Sequence, residues 1–197
     1  MKVVTLLSGG LDSTLLTHLL DEEDTVQYPL FINYGQLNFK KEFESCKRNC
    51  SLIGVHPPEV VDVSGFGKTI DSGLTNNQLD VNLDAFLPNR NAFFLLIASS
   101  YAYKKQCSHI AIGLLNEEKS IFPDQTRAFL DTMENTLSIS LGRSISILSP
   151  LMNLTKGDVI SLAKAKGVSD TYSCHSGGEV PCGICISCLE FINSKSI

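Results

Sequence analysis

Short apolar runs and apolar stripes of helical period alternate along the chain. Val3 to Leu7 is a continuous apolar run, broken only by Thr5, and Leu15, Leu16, Leu19 and Leu20 then recur at helical spacing before a second run from Val26 to Asn33. A short run bounded by turn residues reads as a buried strand, and a repeat of three to four reads as one face of a helix. Phe39, Phe43, Cys46, Cys50 and Ile53 mark the next helix, which places both cysteines on its core face. Val60 to Val63 predicts a third strand. Phe93 to Ala102 is apolar almost all round and predicts a central, buried helix. A fourth strand is expected over His109 to Gly113, an amphipathic helix along Phe129, Leu130, Met133, Leu137 and Leu141, and a fifth strand over Ser144 to Leu148. Thr155-Lys156-Gly157-Asp158 has the spacing of a capping box ahead of a helix carrying Val159, Leu162 and Ala163. Strands alternating with helices of this length predict an α/β fold, a doubly wound parallel sheet covered on both faces.

Two segments break the pattern. Ser64 to Asn89 has no sustained period and is rich in Gly, Asn, Asp and Ser. An excursion of that length inside a compact domain is usually functional, and here it is expected to form a lid. The second segment is the turn after the first strand. Leu7-Ser8-Gly9-Gly10-Leu11-Asp12-Ser13-Thr14 places two glycines and three hydroxyls between a strand and a helix. Amides at a helix start point toward such a turn, so it can hold a phosphate. The mononucleotide P-loop is excluded because no Lys-Ser or Lys-Thr follows the glycines, and the dinucleotide fingerprint because the third glycine is missing. Asp12 would repel a phosphate unless it caps the helix or holds a magnesium ion.

Arg90 and Lys156 each stand at a predicted helix start, where a cation opposes the helix dipole. Placement against local preference points to a ligand, and beside a pyrophosphate both would offset developing charge. The loop after the fourth strand, Leu114 to Thr126, leaves the same end of a parallel sheet and is expected to contact substrate.

The net charge of -5 argues against a general nucleic-acid surface, which needs clustered Lys and Arg. No run of about 18 apolar residues predicts a membrane span, and the opening Met1-Lys2-Val3 leads into a strand, so a cytoplasmic protein is expected. Four of the seven cysteines, Cys174, Cys182, Cys185 and Cys188, crowd one short segment poor in apolar residues. Without a secretory signal that pattern reads as a metal site. Four thiolates would close a structural zinc site, and zinc is expected over an iron–sulfur cluster because the spacing departs from the ferredoxin run. Two units are expected: 1–168 carrying the phosphate loop, and 169–197 carrying the cysteines and packed on it.

The hexapeptide Ser8-Gly9-Gly10-Leu11-Asp12-Ser13 resembles the pyrophosphate loop of the N-type ATP pyrophosphatases. Together with Tyr34-Gly35-Gln36, Pro88 to Asn91, Pro150-Leu151-Met152, Leu154-Thr155-Lys156, Thr171 to Cys174 and the cysteine cluster, the chain resembles the QueC family, 7-cyano-7-deazaguanine (preQ0) synthases, along nearly its whole length. The resemblance implies an adenine nucleotide α-hydrolase-like fold, structural zinc, magnesium, ATP and usually a homodimer. It also implies adenylylation of the carboxylate of 7-carboxy-7-deazaguanine, attack by ammonia, and a second adenylylation that ends in the nitrile. Asp12, Arg90 and Lys156 would then be catalytic, with Tyr34, Gln36, Asn91, Phe122 and Asp124 near the substrate.

Two stretches depart from the family pattern. In Asn116-Glu117-Glu118-Lys119-Ser120-Ile121-Phe122-Pro123-Asp124-Gln125-Thr126, Gln125-Thr126 stands where the family commonly has Cys-Arg. Leu189-Glu190-Phe191 lacks the basic residue usual after the last cysteine. The ATP half is thus kept better than the acceptor half. Open alternatives are a related enzyme joining the activated carboxylate to a protein or peptide amine, a tRNA-modifying enzyme with the same loop, and a non-catalytic nucleotide-binding module.

Overall fold

The computed structural model describes residues 1–116 and 122–194. Residues 117–121, the middle of the loop expected to contact substrate, lie outside the described residues. The elements are β1 (Lys2–Leu7), α1 (Leu11–Glu22), β2 (Val26–Asn33), α2 (Phe39–Ile53), β3 (Glu59–Asp62), α3 (Gly65–Ile70), α4 (Arg90–Lys104), β4 (His109–Ala111), α5 (Arg127–Leu141), β5 (Ser146–Leu148), α6 (Lys156–Ala165) and α7 (Ile186–Ser194). The five strands form one parallel sheet in the order β3-β2-β1-β4-β5.

Alternation along β1 sets the two layers, because successive side chains of a strand point to opposite faces. Val4 and Leu6 join Leu30, Ile32, Leu95, Ala98 and Ile110 on the side covered by α4 and α5. Val3 points the other way, into Leu15, Leu16, Val159 and Ala163 of α1 and α6. Leu7 and Phe31 meet Cys46 and Cys50 of α2, so those cysteines are core residues, as their spacing implies. The strand order reverses at β1, whose neighbours are β2 and β4. Ligands of open α/β sheets bind beyond the carboxyl ends of strands at such a point, and the Ser8–Thr14 loop leaves β1 there.

One expectation needs correction. Helix α4 buries Leu95, Ala98 and Ala102 but leaves Leu96 and Tyr103 exposed. It therefore covers the sheet with one face rather than running through the core. The aperiodic excursion, expected as a lid, is ordered by contacts of its own. Leu74, Ala85 and Leu87 are buried, Leu37 N donates to Leu74 O at 2.9 Å, and Gly73 N donates to Asp84 O at 2.8 Å. Asp80 Oδ1 accepts from the amides of Asn82 and Leu83, and Asn76 Oδ1 from that of Gln78. Those side-chain turns are why the stretch is rich in Asn and Asp yet shows no period.

Candidate active site and metal centre

The phosphate loop is held in shape from below. Gly9 has φ +78°, and a Cβ there would run into the Glu42 carbonyl oxygen. Its own carbonyl accepts from Ser45 Oγ at 2.8 Å and from Tyr172 N at 2.9 Å, which ties the loop to α2 and to the segment before the cysteines. Ser8 N donates to Ser13 Oγ at 3.1 Å, and Ser13 Oγ donates to Gly10 O at 3.3 Å. Gly10 caps α1 with no side-chain hydrogen bond. The first amides of α1 are thus left for a ligand oxygen, and the dipole of a 12-residue helix favours an anion there.

Asp12 does not cap α1. Lys156, the first residue of α6, places Nζ 2.9 Å from each Asp12 carboxylate oxygen. The same Nζ lies 3.6 Å from Glu190 Oε2 and 4.9 Å from the Phe191 ring centre. Burial raises the Glu190 carboxyl, against the pull of Lys156. The cation is therefore held at the mouth of the loop between two carboxylates. Its helix is started by Thr155 and Asp158 as the sequence predicts, with Thr155 N donating to Asp158 Oδ2 at 2.8 Å and Asp158 N to Thr155 Oγ1 at 3.2 Å.

Arg90 opens α4 after Asn89, which takes the left-handed conformation at φ 60°. Its guanidinium stands 6.0 Å from the Tyr34 ring centre. Burial pushes the Tyr34 hydroxyl up to about 12. Asn91 is tied to Asp124: its N donates to Oδ2 at 3.3 Å and its Nδ2 to the carbonyl at 3.0 Å. Phe122 packs against Phe86 with ring centres 5.1 Å apart. Gln36 turns inward, its Oε1 accepting from Tyr34 N at 2.9 Å.

Glu42 was not among the expected site residues. Gln36 Nε2 donates to its Oε2 at 3.1 Å, and Asn38 Nδ2 to its Oε1 at 2.9 Å. Burial raises the carboxyl to about 7, while the two amides and Arg90 pull it down. The signal was present in the sequence: an acid at position 42 falls within the apolar stripe of Phe39, Phe43, Cys46 and Cys50. Glu190 stood out only as part of the stretch that lacks the family's basic residue.

The four expected thiols come together, with all Sγ atoms within 4.8 Å of one another. Cys182 and Cys188 Sγ are 4.0 Å apart, close to the roughly 3.8 Å edge of a tetrahedron with Zn–S bonds of about 2.3 Å. Cys182 N donates to Cys174 Sγ at 3.3 Å, and Cys185 N to Cys182 Sγ at 3.4 Å. Burial works to raise all four thiols. Hydrogen bonds overcome it at Cys174 and Cys182, whereas Cys185 and Cys188 stay raised. Four crowded thiols can all ionise only around a cation, so the donor set suits a metal ion. The segment is docked by Asn38 Nδ2 to Cys174 O at 3.0 Å and by Asn82 Nδ2 to Ile184 O at 3.0 Å.

Residues 2–192 match the family described as "Queuosine biosynthesis protein QueC". A 7-cyano-7-deazaguanine synthase of Methanobrevibacter smithii is 32% identical over 207 residues, covering 96% of this chain and 90% of that protein. The 7-cyano-7-deazaguanine synthase 1 of Desulfitobacterium hafniense is 34% identical, covering 96% of this chain and 89% of that one. In fold, the chain is similar to the U34-tRNA thiolase NcsA of Methanococcus maripaludis, with a TM-score of 0.61 at 16% identity over 100% of this chain and 65% of that chain. The two share a fold, which in this chain is a parallel five-stranded sheet with helices on both faces. By the match along residues 2–192, the chain belongs to the QueC family.

Proposed function

We propose that the chain is a 7-cyano-7-deazaguanine synthase, an ATP-dependent ligase that adenylylates the carboxylate of 7-carboxy-7-deazaguanine and converts it with ammonia to the nitrile. The observation that carries this reading is the uncapped helix start at Gly10 facing Lys156 and Asp12, in a chain similar along nearly all its length to proteins named for that activity. A carboxylate is a poor acyl donor. Its oxygen attacks the α-phosphorus of ATP, and the α–β bond breaks to release pyrophosphate. Ammonia then displaces AMP to give the amide. The amide oxygen is adenylylated in turn, and loss of a second AMP with two protons leaves the nitrile.

The chain's own part is positional and electrostatic. Main-chain N–H groups of Gly9 to Ser13 and the hydroxyls of Ser8, Ser13 and Thr14 would hold the phosphates, with Leu7 and Leu11 fixing the ends of the turn. Lys156 and Arg90 would offset charge on the departing pyrophosphate. Asp12, whose carboxylate is paired with Lys156, would hold magnesium, which would neutralise phosphate charge when bound. Cys174, Cys182, Cys185 and Cys188 would hold zinc in a closed, structural site. Tyr34, Gln36, Asn91, Phe122 and Asp124 are the residues assigned by this reading to contact the deazapurine. The division at 168/169, a homodimer and a cytoplasmic setting belong to the same proposal; among the described residues no helix is long and apolar enough to cross a membrane.

The test is mass spectrometry of products from the purified protein with ATP, magnesium, 7-carboxy-7-deazaguanine and ammonium. The expected outcome is the nitrile with about two AMP per product, as the two adenylylations require. Pyrophosphate release that stops at a trapped adenylate or amide would reassign the amine. No turnover would reject the substrate.

A further inference from the structure

Glu42 is crowded by protein yet keeps some solvent access. Its main chain supports Gly9, and its side chain lies within electrostatic reach of Arg90, Tyr34 and Tyr172. Two buried carboxamides fix it. Gln36 is anchored through Oε1 to Tyr34 N and through Nε2 to Ile32 O at 3.2 Å. Asn38 is anchored to the Cys174 carbonyl and makes no side-chain cap for α2, although Asn is among the best capping residues. Both amides are thus diverted from ordinary local roles to hold one carboxylate.

Each Glu42 oxygen accepts one of these amides, Oε2 from Gln36 and Oε1 from Asn38. A carboxylate has about four acceptor positions. Among the described residues no other hydrogen bond reaches either oxygen, so each keeps acceptor capacity, and a carboxylate with capacity on both oxygens can accept two parallel N–H bonds. Arg90 supplies neighbouring positive charge but stacks toward Tyr34. We infer that Glu42 is a specificity-determining residue that reads the ring N–H and exocyclic amino group of a 2-aminopyrimidinone edge on the bound heterocycle. The inference rests on the proposed deazaguanine reading and adds which side chain selects that ring.

Calorimetric binding in the presence of magnesium and α,β-methylene-ATP tests it, with two probes: 7-carboxy-7-deazaguanine and the same acid lacking the 2-amino group. Wild type should prefer the amino compound by about 10-fold or more, because a site built to bond an N–H rejects a ligand without it. Glu42→Gln should bring the two probes to within about three-fold of each other, by loss of the amino compound alone, with ATP-analogue affinity unchanged. Glu42→Asp, which keeps the charge but retracts it, should fall between. A Glu42→Gln protein that keeps the full preference overturns the inference. So does wild type binding both probes equally, an outcome that needs no variant. If wild type binds neither acid and makes no AMP from the amino compound, the deazaguanine reading itself fails, and this inference falls with it.

Discussion

A carboxyl group hemmed in by protein is a measurable property of a single residue. Glu42 is raised by burial to about 7 from an ordinary value of 4.5. Between those values the folded chain keeps a proton that the unfolded chain has released, so this group's contribution is full below 4.5 and is lost as pH rises through 7. His175 acts oppositely: burial and Arg90 lower it to about 4, so its contribution is present above 6.5 and lost as pH falls. Comparing wild type with Glu42→Gln isolates the carboxyl. Urea unfolding at about pH 5 and about pH 7.5 should show wild type losing about 1–2 kcal/mol more than the variant across the interval, after allowance for partial solvent screening. An equal pH response in both proteins would show that Glu42 is an ordinary carboxylate. At this scale the sequence was informative where a residue opposed its local setting. Arg90 and Lys156 at helix starts, and the crowded cysteines, were visible for that reason. Glu190 lay in a stretch that departs from the family pattern, but its pairing with a distant lysine appears only in the fold.

Among elements, the strand–turn–helix at the phosphate loop is the least tolerant of change. Gly9 combines φ +78° with no room for a Cβ, whereas Gly54, the C-cap of α2 at φ +92°, has open space around it. Gly9→Ala should therefore destabilise the chain by about 2–4 kcal/mol and abolish ATP binding. Gly54→Ala should cost about 1 kcal/mol and leave nucleotide binding alone. Denaturant unfolding and nucleotide titration of both variants check the contrast. Helices and strands of clear period were legible, as was the Thr155–Asp158 cap. The 64–89 excursion was not, because its order comes from Asp80 and Asn76 side chains bonding nearby amides, a device that leaves no period.

The whole molecule adds what no local pattern contains. Alternation of strands and helices implied a parallel sheet, but the neighbouring of β1 and β4 is a long-range pairing. The cysteine segment likewise has little apolar material of its own and is fastened by side chains from α2 and the excursion. Cys185→Ser should cut bound zinc, measured by elemental analysis, and lower the melting temperature together. Normal metal content in that variant would reject a four-thiolate site.

The tie between Gly9 and Tyr172, and the ion pair between Asp12 and Lys156, 144 residues apart, also bear on synthesis. A chain emerging from the ribosome makes the Ser8–Thr14 turn before α6 and the cysteine segment, and cannot lock it until they have followed. The turn is then locked only late in translation, and a chain cut short before α6 holds it without its Lys156 and Tyr172 partners.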